Sequence, residues 1–119
     1  MKTDDKARLC LKIIKERKAL NPIMFEVGEL ASITDYFLIA SGNSSRQVQA
    51  ITRHLIKRMR EAGFKPYGTE GEQEGHWVLI DYGDIVIHIF YQPTREFYDL
   101  EGLWLEAPRI DLDETGPSE

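Results

Sequence analysis

One cysteine, Cys10, stands alone in a chain of 119 residues. No disulfide within the chain and no cysteine-built zinc site can therefore form. This usage fits a reducing compartment, and the place of Cys10 on an apolar helical stripe reads as a buried structural thiol. Long apolar runs are missing as well. No stretch approaches the roughly 18 residues of a membrane span, and the charged start, Met1 to Asp5, lacks the apolar core of a signal peptide. A cytoplasmic location is the expectation. Positive charge is in short supply: 15 Lys and Arg face 20 Asp and Glu, for a net charge of −5. That argues against free nucleic acid as the main partner, since phosphate binding relies on clustered cations. A basic partner is easier to accommodate, although the same balance also serves plain solubility. No internal repeat is visible.

What is present fits one soluble domain. Apolar residues make up 42% and charged residues 29%, both ordinary for a globular chain. A domain of this length buries roughly two thirds of its unfolded surface. Hydrophobic spacing predicts a helix over 4–19, with Thr3 as N-cap, Leu9, Cys10, Ile13 and Ile14 as its apolar stripe, and Asn21-Pro22 as its stop. Ile23, Phe25 and Val27 alternate with Met24 and Glu26, which predicts a strand. Residues 29–34 connect it to Tyr36–Ala40, an unalternating apolar run suited to a central strand covered on both faces. The segment Ser45–Ala62 is the clearest helix, with Val48, Ile51, Leu55 and Met59 on one face and Gly63 as C-cap.

A Gly-rich acidic loop then leads to two strands, 77–81 and 85–90, joined by a tight turn at Tyr82-Gly83. Pro93 begins a short helix. In it Phe97, Leu100 and Trp104 fall at i, i+3 and i+7, which predicts a shared face. Residues 105–119 are acidic and polar with two prolines, and read as a disordered tail behind a single domain of residues 1–104. Strand, helix and strand over 36–81 predict a right-handed crossover. The expected fold class is α/β in the α+β sense: a mixed parallel and antiparallel sheet flanked by helices.

Four kinds of chemistry are conceivable. Ser41-Gly42-Asn43-Ser44-Ser45-Arg46 lies between a strand and a helix, where backbone NH groups can hold a phosphate. It lacks the spacing of a P-loop or dinucleotide loop, and an ordinary helix cap explains it as well. A nucleotidyl-transferase site would also need two acids one residue apart on the next strand, to hold metal ions. Asp81 and Asp84 instead flank a turn, three apart. His54, His76 and His88 show no helical metal-ligand spacing, and lone histidines are more often structural. No nucleophile elbow is present. These readings predict no enzyme activity, no cofactor and no metal.

The fourth possibility is an interaction surface. Alternation puts Trp77, Leu79 and Asp81 on one face of their strand and Val78 and Ile80 on the other. Tryptophan is a favoured interface anchor, and Glu70, Asp81 and Asp84 would suit a basic partner. The alternative makes Trp77 a core residue and the acids solvated.

With these segments assembled, the chain resembles the Iojap family, the bacterial ribosomal silencing factors. The resemblance rests on Ser32–Phe37 running into Ile39–Gln47, on Gly68 with Glu70-Gly71, on Trp77–Phe90, and on Arg95–Glu101 closing at Leu103-Trp104. It implies a fold related to nucleotidyl transferases but without their catalytic residues. It implies binding to the large ribosomal subunit through the protein uL-fourteen, which blocks joining of the small subunit and represses translation. Organellar relatives act in ribosome assembly, so an assembly role on the same surface is the alternative, and residual nucleotide binding or phosphoryl transfer at Ser41–Arg46 is another of a different class. The expected contact residues are Trp77, Asp81, Asp84 and Glu70, with Tyr36 and Tyr82 as weaker candidates. An exposed hairpin edge would let the free protein form a homodimer.

Overall fold

In the computed structural model, residues 2–28 and 34–110 are described. The connector expected at 29–34 lies, but for Thr34, outside these residues, as does 111–119 of the expected tail. The elements are α1 (Thr3–Glu16), β1 (Leu20–Glu26), β2 (Tyr36–Gly42), α2 (Ser45–Glu61), β3 (Gly68–Glu70), β4 (Trp77–Asp81), β5 (Ile85–Tyr91), α3 (Gln92–Tyr98), a 3₁₀ turn (Leu100–Trp104) and β6 (Arg109–Ile110). The strands form one mixed sheet in the order β3-β4-β5-β2-β1-β6. The expected class, a mixed sheet flanked by helices, is what forms.

Burial sets the strand order. Every residue of β2 is buried, as are five of the seven residues of β5, so these strands must occupy the centre, and they pair in parallel. β4 alternates buried and half-buried positions and lies outside β5, antiparallel to it. The crossover through α2 therefore links β2 to β5, and not to 77–81 as the sequence order suggested. The edge expected to be free is not free either, because three-residue β3 pairs with β4. Among the described residues, the edges of the sheet are β3 and β6.

Helices α1 and α2 cover one face of the sheet. Their side chains Cys10, Ile13, Ile14, Val48, Ile51, Leu55 and Met59 form the larger core with Leu38, Val78, Ile80, Ile87 and Ile89. At about 25 cal/mol per Å² of apolar surface, each large side chain buried here contributes about 2 kcal/mol. α1 ends three residues earlier than expected. Lys18 turns left-handed (φ 59°) and Ala19 N donates back to Ile14 O at 3.2 Å, which closes the helix end. Thr3 is not its N-cap: its hydroxyl donates to Asp84 Oδ2 at 3.1 Å.

The opposite face carries a second core of Phe25, Val27, Phe37, Ile39, Phe90 and Ala107. Among the described residues it is covered by α3, the 3₁₀ turn and the segment behind it. Residues 106–110 do not behave as a loose tail, because Ala107 is buried and Glu26 N donates to Pro108 O at 2.9 Å. β6 then pairs with β1, and Arg109 stacks over Phe25. The face expected to hold Phe97, Leu100 and Trp104 together is broken at Asp99, which adopts φ 48°. Leu100 and Trp104 pack inward while Phe97 is 80% exposed.

Two tests follow from this packing. Cys10 is fully buried 3.8 Å from Met59 Sδ, and burial pushes its thiol up to about 12. It should resist Ellman's reagent in the folded protein at pH 8 and react fully in denaturant. Lys6 is buried beneath α1, paired with Asp84 at 2.8 Å and stacked over Phe64 at 4.7 Å. Lys6→Ala should leave Asp84 without its cation and lower stability by about 2 kcal/mol, read from the urea midpoint.

Candidate docking site

The face opposite α1 and α2 carries Phe25, Phe37, Phe90 and both tryptophans. Cross-strand register places Trp77 beside Phe90, Leu79 beside His88, and Asp81 beside Val86. Glu70 of β3 is paired with Leu79 and so shares this face. The Trp77 ring packs on Phe90 at 4.9 Å and on Tyr98 of α3 at 5.1 Å, with Phe97 edge-on to Tyr98 at 5.0 Å. Trp77 is half-buried; Phe97 and Tyr98 are exposed. Together with Glu74, His76, Pro93 and Thr94 they line a shallow concavity of about 520 Å³. Leu103 and Leu105 are also exposed, at 74% and 75%. Burying a Leu or Phe side chain contributes about 2 kcal/mol, so exposed apolar side chains of this kind make the face a candidate interaction surface.

Four devices hold this surface. Trp77 Nε1 donates to His88 Nδ1 at 3.0 Å, which fixes the indole. His88 is buried, and burial holds its imidazole down at about 4 from the ordinary 6.5, so it stays neutral and accepting. Gly71 (φ 84°) lets the acidic loop pass Trp77, since a Cβ there would stand 2.1 Å from Trp77 O. The loop is fastened to α2 by Gln49 Nε2, which donates to Gln73 O at 2.8 Å and Glu72 O at 3.1 Å. Finally, Arg95 anchors α3. Its buried guanidinium donates to Glu101 Oε2 at 3.0 Å, Ser41 Oγ at 2.8 Å and Leu20 O at 3.3 Å. α3 has only seven residues, too few for a free helix, so these bonds present Phe97 and Tyr98.

The six residues singled out from sequence fall on two sides. Trp77, Glu70 and Asp81 share the aromatic face, although Asp81 Oδ1 accepts from Gly83 N at 2.7 Å and shapes the turn. Asp84 lies on the α1 side, bonded to Lys6 and Thr3. Tyr82 is buried there with its hydroxyl unpartnered among the described residues. Tyr36 is buried and donates to Asp4. Burial raises the pKa of both tyrosines, helped for Tyr36 by Asp4. Ser41–Arg46 forms a helix cap: Ser44 Oγ accepts from Gln47 N at 3.0 Å, and Gln47 Oε1 accepts from Asn43 N at 2.5 Å.

From sequence, Phe97 and Tyr98 were not recognised as exposed anchors, nor Arg95 as the support of α3, nor Lys6 as the partner of Asp84 on the other face; His88 fits the structural histidine expected there. Lys6 was open to discovery, because it stands four residues before Cys10 on the buried stripe. Arg95 and Glu101 were not, since their bond depends on the chain reversal at Asp99.

The His88 environment has a measurable consequence. Its folded pKa lies below the unfolded one, so between pH 6.5 and about 4 the unfolded chain binds the extra proton. Its contribution is present above pH 6.5 and is lost as pH falls towards 4, by on the order of 3 kcal/mol. His88→Gln, which keeps an acceptor for the indole, should remove this part of the acid limb in urea titrations. Gly71→Ala should cost at least about 2 kcal/mol through strain and contact with Trp77 O.

Residues 1–119 match the family model described as ribosomal silencing factor during starvation, RsfS. The chain is 37% identical over 113 residues to ribosomal silencing factor RsfS of Halalkalibacterium halodurans, covering 95% of this chain and 97% of that one. It is 32% identical to the mouse mitochondrial assembly of ribosomal large subunit protein 1, over 81% of this chain and 43% of the mouse protein. A crystal structure of a Chromobacterium violaceum protein superposes with a TM-score of 0.85 at 33% identity, covering 87% of each chain. The aromatic face described above therefore sits on a known scaffold, and the chain belongs to the RsfS family of ribosomal silencing factors.

Proposed function

We propose that this protein docks by its aromatic face on the large ribosomal subunit, at the basic protein uL-fourteen, and so keeps the small subunit from joining. The observation that carries the reading is the Trp77, Phe97 and Tyr98 cluster standing open beside Glu70, Glu74 and Asp81. Aromatic anchors ringed by one sign of charge suit a partner that offers apolar grooves and Lys or Arg. The acids also disfavour competing contact with RNA phosphate at this face. Residues 66–110 hold nine acids against two cations, Arg95 and Arg109, and Arg95 is already neutralised by Glu101. The mechanism is exclusion: a bound domain occupies the joining surface, and no bond is made or broken, so no enzyme activity is needed. Asp84, Tyr36 and Tyr82 serve this reading only from within, as supports under α1. Family membership and the name of the mouse relative favour the large subunit.

The test is co-sedimentation with purified large subunits. Trp77→Ala, checked for folding by circular dichroism, should weaken binding about 30-fold, the loss of an interface hot spot of about 2 kcal/mol. It should also restore subunit joining in light scattering. Undiminished binding would remove Trp77 from the interface. The mouse relative's name also favours a second reading, assembly of the large subunit through the same face. That reading requires large-subunit precursors to accumulate in a deletion strain during rapid growth.

A further inference from the structure

The cations of this acidic chain are segregated. Residues 2–18 and 45–62, which span α1 and α2, carry twelve of the fifteen Lys and Arg but only four of the twenty acids. These helices cover the sheet on the side away from Trp77. Between them lies a concavity of about 240 Å³ lined by Arg17, Ala50, Arg53, His54 and Lys57. Arg17, Arg53 and Lys57 are exposed, and none has an acidic partner among the described residues. The acid beside them, Glu16, is already taken. It accepts from His54 Nε2 at 2.7 Å and from Arg58, and these two bonds hold its carboxyl below the usual range. Arg53 and Lys57 stand four residues apart on one helix, where like charges repel unless an anion lies between them.

From this geometry we infer that the groove between α1 and α2 is a second binding surface, one that takes the phosphate backbone of RNA. Closely spaced cations without acids fit a chain of phosphates and read no sequence. A membrane is disfavoured, because the exposed large apolar residues Tyr67, Phe97, Tyr98, Leu103 and Leu105 all lie outside α1 and α2 and leave the helices no anchor to insert. The two surfaces are opposed, so an RNA contact by the helices leaves the aromatic face free for a protein. This inference stands on the charge distribution and does not need the docking reading.

Anisotropy of a fluorescein-labelled RNA hairpin tests it. The protein should bind in the micromolar range at low salt, with log K falling against log salt at a slope of about −2 to −3, as expected for three phosphate contacts. Arg53→Glu/Lys57→Glu should weaken binding at least tenfold and flatten the slope. Lys2→Glu/Lys65→Glu, an equal change of charge outside the groove, should change it less than twofold, and Trp77→Ala should leave it unchanged. If the glutamate pair unfolds the protein, Arg53→Gln/Lys57→Gln should show the same loss in milder form. No binding by the unaltered protein, an equal loss in the control pair, or displacement of RNA by polyglutamate of matched charge would each overturn the inference.

Discussion

Two adjacent strands that are apolar on both faces govern this molecule. β2 and β5 pair in parallel at the centre of the sheet, and neither has a polar face to offer water. Both faces must then be covered, as in any sheet with buried parallel strands. The described residues form two full helices, and both lie on one side, where the crossover from β2 to β5 puts α2. On the other side, among the described residues, lie seven residues of α3, a 3₁₀ turn and two residues of β6. That cover is narrow. Its inner residues, Leu100, Trp104 and Ala107, close the second core. Its outer ones, Phe97, Tyr98, Leu103 and Leu105, are left in solvent. Among the described residues, the exposed apolar surface thus goes with the short elements that cover the second face.

Short elements of this kind hold their shape through polar bonds. Arg95 is 5% exposed, and an unpaired buried guanidinium would cost several kcal/mol. With Glu101, Ser41 and Leu20 O all in reach, that cost is offset and the position of α3 is fixed to one arrangement. Lys6 does the same for the far end of the sheet, joining α1 to the turn at Asp84. The two buried cations thereby secure the two layers, one on each face.

How much of this could be read from the residues depended on the range of the interaction. Hydrophobic spacing located α1, α2, β2, β4 and β5, because each pattern is complete within its own segment. The alternation at Trp77, Leu79 and Asp81 was legible for the same reason, and Glu70 joined that face through simple pairing. Strand order was not legible, since it turned on β5 being more deeply buried than β4, a property of neighbours. The division of the expected site was hidden too. Asp81 and Asp84 look equivalent across a turn, yet one faces the aromatic side and the other is drawn under α1 by Lys6, 78 residues away in sequence. Likewise Arg109 stacks on Phe25, so residues that read as polar tail become part of an edge strand.

Trp77 shows why rigidity matters at such a surface. An exposed tryptophan loses rotamer freedom when a partner binds, and each side chain ordered on binding costs about 1 kcal/mol. Here the ring is already placed between Phe90 and Tyr98, and its NH is committed to His88. That bond lasts while the imidazole is neutral, and burial ensures this at any pH well above 4. The polar atom of the indole is thereby satisfied from inside, so the ring presents mostly carbon outward. A partner that covers it need not supply an acceptor, and the apolar burial counts almost in full. The same buried histidine therefore orients the indole from within, and the fold and the candidate surface share one hydrogen bond.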